Sequence, residues 1–144
     1  MNRFKIKTEV RFNKNALDTL REFKNAAVVI ITDKFMASSG MLQKITDRLE
    51  NCAITVFDGI LPDPTTELIA AGLKVVLKAQ AQIVIALGGG SAIDAAKSMV
   101  FMAERSTGRD LTLVAIPTTS GTGSEVTQFA VVTDVAENRK YPLV

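Results

Sequence analysis

The chain has 144 residues, of which 47% are hydrophobic, and a net charge of +2 with Lys and Arg scattered from Arg3 to Lys140. That length holds one domain with a single sizeable core, and the lack of a basic block or aromatic-basic stripe leaves a nucleic-acid partner without sequence support. The longest apolar runs, Val28–Ile31 and Ile83–Leu87, are far too short to cross a bilayer.

Met1–Glu9 alternates polar and apolar residues and lacks the apolar core of a signal peptide. The single cysteine, Cys52, has no internal disulfide partner and fits a reducing compartment, so a cytosolic setting is the default. There is no histidine. The commonest general base and the commonest transition-metal ligand are therefore both missing, as is the Cys–His pair of a thiol protease.

Taken in chain order, Phe4–Phe12 alternates sides and predicts an edge strand or hairpin arm. A short helix is expected from about Ala16 to Phe23, with Asn15 as its cap. Ala27–Thr32 is β-branched and apolar and reads as a strand buried on both faces, ending at Asp33. From Phe35 to about Leu49 the spacing is helical, with a break at Gly40. Ala53–Phe57 reads as a second inner strand. In Leu61-Pro62-Asp63-Pro64 each residue before a proline is pushed out of the α region, and Asp63 followed by Pro64 predicts a capped helix start. That helix runs to about Gln80 and buries Leu68, Val75, Val76 and Ala79. Ile83–Leu87 is the third inner strand, followed by a helix over about Ala92–Glu104 and a polar loop, Arg105–Asp110. Leu113–Ile116 is the fourth strand and Phe129–Thr133 the fifth, with Lys140–Leu143 as its hairpin partner.

Strands alternating with amphipathic helices define an α/β class: a Rossmann-like, mostly parallel sheet covered by helices on both faces, preceded by the edge strand or hairpin. No repeat of fixed period and no low-complexity tract is present. Residues 1–144 read as one nucleotide-binding domain. The sequence ends at Val144 within an apolar, strand-like segment, which predicts a fragment of a longer protein.

Two motifs carry chemistry. Gly88-Gly89-Gly90-Ser91 stands between a buried strand and a helix. Three glycines let the backbone turn sharply and let a ligand approach without Cβ interference, while the helix behind them presents unpaired amides and its positive dipole end. A phosphate or pyrophosphate is the natural occupant, with Ser91 adding a hydroxyl and Asp94 and Lys97 following one and two turns in. The run is neither the dinucleotide fingerprint, because Ile93 stands where its last glycine would be, nor a Walker loop. The plain alternative is a glycine-rich αβ turn. The second motif, Pro117–Thr127, has Thr, Ser or Gly at eight of eleven positions and leaves the end of an inner strand, where ligands of open α/β sheets gather. Its plain alternative is a surface loop. Asp33, at the end of the first inner strand, has the placement of an acid that accepts from an adenosine ribose hydroxyl and repels a 2′-phosphate, although strand-end caps are common for Asp.

The strings GGGSAIDAAKSMV (Gly88–Val100) and IPTTSGTGSEVTQFAVVTD (Ile116–Asp134) resemble the signatures of the iron-containing (group III) alcohol dehydrogenase family, and VIITDKF (Val29–Phe35) and LPDPT (Leu61–Thr65) fall in that family's order and spacing. LPDPT and the KYPL ending most resemble the propanol dehydrogenases of propanediol- and ethanolamine-utilising bacteria.

The resemblance implies that Gly89, Gly90 and Ser91 cradle a pyrophosphate with Asp94 close by, and that Thr118, Thr119 and Thr122 contact the phosphates and the nicotinamide side. It further implies that Asp33 holds the adenosine ribose, Val131 lines the nicotinamide pocket and Lys140 reaches the nicotinamide ribose. At Asp63 some members carry an Asn that touches the adenine end. The implied cofactor is NAD rather than NADP. The implied Fe²⁺ or Zn²⁺ is held by one Asp and three His on a following all-helical domain that this chain lacks. The implied activity interconverts a short-chain primary alcohol and its aldehyde, in a homo-oligomer, with Phe4–Phe12 available to pair across a dimer. The cytoplasm or a bacterial microcompartment is the implied setting. Two other readings stand beside it: a free-standing NADH-sensing module without catalysis, and a relative of the glycerol dehydrogenases, which share the glycine turn.

Overall fold

The computed structural model describes residues 7–137 and 139–143. Four strands, β1 (Ala27–Ile31), β2 (Ala53–Phe57), β3 (Ile83–Gly88) and β4 (Thr112–Pro117), form a wholly parallel sheet in the order β2-β1-β3-β4. The two central strands are the β-branched runs: Val28–Ile31 and Val84–Leu87 are fully excluded from solvent. Ala53–Phe57, expected as an inner strand, is an edge among the described residues, and its Val56 is 40% exposed. Its apolar composition does not reveal this, because position in the sheet depends on pairing order.

Alternation along β1 and β3 sorts their side chains to two faces. Val29, Ile31, Val84 and Ala86 join one apolar cluster with α3 (Thr66–Lys78) and α4 (Gly90–Thr107). Val28, Ile30, Ile83, Ile85 and Leu87 join another with Leu20, Ile45 and Leu49. Leu20 sits on the expected short helix, a 3-10 helix over Ala16–Glu22; Asn15 precedes it, but its side chain makes no cap bond. The helix expected over Phe35–Leu49 is two short ones, α1 (Lys34–Ser38) and α2 (Met41–Thr46), separated at Gly40, whose φ is +79°.

The helix after the proline turn begins later than its sequence implies. Thr65, not Asp63, caps α3, its hydroxyl accepting from the Leu68 amide at 3.2 Å. Asp63 takes a left-handed φ of +55° instead. The Pro64 carbonyl is engaged elsewhere, accepting from Thr133 N at 2.9 Å, and this tertiary bond keeps Pro64 out of the helix. The stripe that α3 buries is Ile69, Gly72 and Val76, with Leu68, Val75 and Ala79 at its margins. α4 starts at Gly90 and ends at Thr107, capped by Gly108, whose amide bonds back to the Glu104 carbonyl in a left-handed C-terminal turn.

β5 (Ala130–Asp134) and β6 (Arg139–Leu143) form the expected antiparallel hairpin, fastened beside α3 by a Thr65–Thr133 bridge. The predicted N-terminal edge strand is not borne out over its described part. Phe4 and Ile6 lie outside the described residues, and residues 7–12 have no regular structure, with Val10 56% and Phe12 80% exposed. A strand needs a ladder partner. Here the segment is tied down by its side chains, Arg11 pairing with Glu9 and Glu22.

Chemical denaturation of two variants tests the reassignment of β2. Ile85→Ala in the centre of β3 is expected to cost about 2–5 kcal/mol, whereas Val56→Ala on the edge is expected to cost under about 1 kcal/mol.

Candidate functional site

The strand order places a topological switch between β1 and β3. From β1 the chain passes through α1 and α2 to β2 on one side; from β3 it passes through α4 to β4 on the other. Loops leaving the carboxyl ends of β1 and β3 therefore diverge and open a crevice, which is where ligands of open α/β sheets bind. The residues at that crevice are Asp33 after β1 and Gly88–Gly90 after β3. Thr32 braces them: it is fully buried, and its hydroxyl donates to the Leu87 carbonyl at 2.9 Å.

The turn itself is built for bare backbone. Gly88 has a φ of +152°, which L side chains rarely adopt, and a Cβ there would stand 3.8 Å from Asp33 Oδ2 and 2.8 Å from the Ala92 Cβ. Gly89 caps α4 with extended backbone and faces the second motif, where an added Cβ would lie 3.0 Å from Thr119 Oγ1. One on Gly90 would meet Ser124 Oγ at 3.3 Å and Thr122 Cγ2 at 3.4 Å. Thr118 continues the ladder, its amide donating to the Gly88 carbonyl at 3.0 Å. The glycine turn and the Thr/Ser loop are thus two walls of one cradle. Ser91 lies in the first turn of α4, half-buried. The amides of Ala92 and Ile93 already bond to the Gly89 carbonyl, while those of Gly90 and Ser91, at the helix N-terminus, have no intrahelical acceptor.

Asp33 caps α1, with Oδ1 accepting from the Met36 amide at 2.8 Å and Oδ2 left toward Gly88. Asp94, one turn into α4, is spent on the fold: Oδ2 accepts from Val131 N at 3.1 Å, and the buried Oδ1 has no hydrogen-bond donor but faces Lys97 Nζ at 3.7 Å. Burial pushes the Lys97 ammonium below the usual lysine range, and the Asp94 carboxylate opposes that shift. Val131 is 42% exposed on β5, beside α4. Lys140 stands apart from the glycine turn on β6, its ammonium paired with Asp63 at 2.6 Å.

Two residues at the cradle, Ser124 and Thr32, were not singled out by the sequence, and Lys97 was named without its contacts. Ser124 was legible only as part of a Ser/Gly-rich loop; Lys97 was placed two turns into the helix without its partners, Thr127 and Phe129, which lie some thirty positions away. Thr32 carries no sequence signal beyond being polar at the end of an apolar strand. Among the described residues, no group of three or more His, Cys, Asp or Glu side chains can hold a metal ion. A groove of about 860 Å³ lies along β4 between residues 8–11 and residues 125–128, and does not include the glycine turn.

A parallel sheet with a switch point, a bare glycine turn on a helix N-terminus and a facing Thr/Ser loop define an open α/β domain with one crevice at the carboxyl ends of its central strands. Residues 7–144 match the family model described as iron-containing alcohol dehydrogenase. The chain belongs to that family. It is 42% identical to the 1-propanol dehydrogenase PduQ of Salmonella typhimurium over 99% of its own length, and 35% identical to the bifunctional aldehyde-alcohol dehydrogenase AdhE of Escherichia coli over 89%. It spans 39% of the former's length and 17% of the latter's. Among solved structures, it superimposes on a sulfoacetaldehyde reductase of Bifidobacterium kashiwanohense in complex with NAD+, with a TM-score of 0.87, 27% identity, and coverage of 100% of this chain and 43% of that one. An iron-containing alcohol dehydrogenase of Thermotoga maritima matches with a TM-score of 0.81 at 25% identity, over 99% of this chain and 44% of that one.

The cap that Asp33 supplies to α1 is testable. Asp33→Ala removes the α1 cap and is expected to cost about 1 kcal/mol, whereas Asp33→Asn keeps an acceptor and stays within about 0.5 kcal/mol of the unsubstituted chain, as read by thermal denaturation.

Proposed function

We propose that this chain is the NAD(H)-binding domain of an alcohol dehydrogenase that interconverts a short-chain primary alcohol and its aldehyde. The observation that carries the reading is the cradle itself: bare backbone at Gly88–Gly90, free helix-terminal amides and the hydroxyls of Thr119 and Ser124 converge on one crevice, with the Thr122 methyl packed beside Gly90. An anionic diphosphate fits this donor set, since each wall offers N–H or O–H groups and the helix dipole favours negative charge. The similarity to a reductase in complex with NAD+ supports the same occupant.

The proposal assigns roles to the residues around the crevice. The amides of Gly90 and Ser91 donate to the pyrophosphate, and Thr118, Thr119 and Thr122 close over it. Asp33, ending β1 on the other side of the crevice, accepts from the adenosine ribose and repels a 2′-phosphate, which favours NAD over NADP. Val131 offers an apolar surface to the nicotinamide. Lys140 reaches the nicotinamide ribose only by releasing Asp63. When bound, the nicotinamide takes up or delivers the hydride, and the chain's contribution is to hold and orient it.

The described residues do not fit a catalytic metal: the sequence has no histidine, and no cluster of ligands forms. The chain spans 39% of the propanol dehydrogenase it matches. This leaves room in a longer protein for the Asp and His ligands that the resemblance places on a helical domain. Homodimeric assembly and a cytoplasmic or microcompartment setting belong to the same proposal; among the described residues, no helix is long and apolar enough to cross a membrane.

With no Trp in the chain, nicotinamide fluorescence reports binding directly. Saturable NADH binding, at least about tenfold weaker NADPH binding, and loss of both in Gly90→Val are the expected results. Equal or tighter NADPH binding would contradict the role given to Asp33, and an unaffected Gly90→Val would contradict the cradle.

A further inference from the structure

We propose that Lys97 is a positioning residue, a pin that holds the nicotinamide-side strand against the helix carrying the glycine turn. The proposal rests on the cofactor reading above. Its basis is a set of contacts that this reading does not use. Lys97 Nζ donates to the Phe129 carbonyl at 2.8 Å and to Thr127 Oγ1 at 3.3 Å, and lies 3.7 Å from Asp94 Oδ1. Asp94 in turn takes the Val131 amide. Two side chains on one face of α4 thus grip three residues, Thr127, Phe129 and Val131, where the Thr/Ser loop becomes β5.

The grip is buried. The side chains of Lys97 and Asp94 are each 13% exposed, so water does not screen their attraction as it does on a surface. The other charged group close to the ammonium is Glu125, on the turn ahead of Thr127. The loop spans an irregular stretch from Thr118 to Phe129 with one short 3-10 turn at Ser124–Val126, so little regular structure fixes where β5 begins. Lys97 supplies that fixed point, and through it Val131 keeps its distance from Gly90 and Ser91, three to four residues N-terminal to Asp94 on the same helix. The adenine side, set by Asp33 and the glycine turn, is attached to β1 and β3 and does not depend on the pin.

Releasing the pin therefore weakens ligands that reach β5 and spares those that do not. The test is calorimetric titration of the chain with NADH and, separately, with ADP, which lacks the nicotinamide riboside. Lys97→Met is expected to lose about tenfold in NADH affinity while its ADP affinity stays within about twofold. Lys97→Arg, which keeps the charge and donors, is expected to recover most of the loss. Lys97→Met leaves Asp94 without its counter-charge, so Lys97→Met combined with Asp94→Asn is measured beside Asp94→Asn alone; the same selective loss is expected between them. Equal losses for NADH and ADP would overturn the proposal in favour of a purely structural role, and so would an unchanged NADH affinity. Failure of the unsubstituted chain to bind either ligand would overturn the cofactor reading itself, and is told apart because it does not depend on the substitution.

Discussion

Between the turn after β3 and the loop after β4 a side chain would fit only if its neighbours gave way: a Cβ on Gly89 would stand 3.0 Å from Thr119 Oγ1, and one on Gly90 3.3 Å from Ser124 Oγ. That close approach of bare backbone to hydroxyls depends on the central strands. Val28–Ile31 and Val84–Leu87 are sealed on both faces, so the carboxyl ends of β1 and β3 are fixed side by side. Parallel pairing continues through Gly88 and Pro117, and Thr118 N adds one more bond to Gly88. The chain then has nowhere to go but into two facing loops. A rigid scaffold with short, bare loops at its switch point suits the binding of a polar, extended ligand at little reorganisation cost.

Charge is arranged around that contact with some economy. The N-terminus of α4 contributes partial positive charge where the glycine turn is bare. Asp33 brings a carboxylate to the far side of the crevice while using one oxygen to cap α1. Asp94 would put a second negative charge close to the helix N-terminus, and Lys97 sits against it. The pair thus joins the loop to the helix and offsets the Asp94 charge close to the helix N-terminus.

Much of this was legible in the sequence, for identifiable reasons. The β-branched runs at Ala27–Thr32 and Ile83–Leu87 mark buried parallel strands because only the aliphatic interior of a covered sheet tolerates such runs. The glycine turn was legible because three glycines between a strand and a helix have few structural uses. What was not legible depends on contacts across the sequence. β2 reads like an inner strand, but its neighbours are decided by strand order. Asp63-Pro64 has the local chemistry of a helix start, yet the Thr133 amide takes the Pro64 carbonyl and the cap passes to Thr65. The alternation in Phe4–Phe12 finds no ladder partner over its described residues, and the grip of Lys97 on Phe129 spans 32 positions.

The central claim is that one cradle, formed by residues around Asp33, Gly88–Asp94 and Thr118–Thr127, takes the cofactor. The most direct measurement follows backbone amide resonances of the isotopically labelled chain as NADH is added. The account predicts saturable shifts confined to those segments and Val131, with Val76–Ala81 and Thr107–Leu111, away from the glycine turn, unmoved. Saturable shifts centred elsewhere, such as on residues 8–11 and Thr112–Ile116 of the groove along β4 with the glycine turn unmoved, would contradict it.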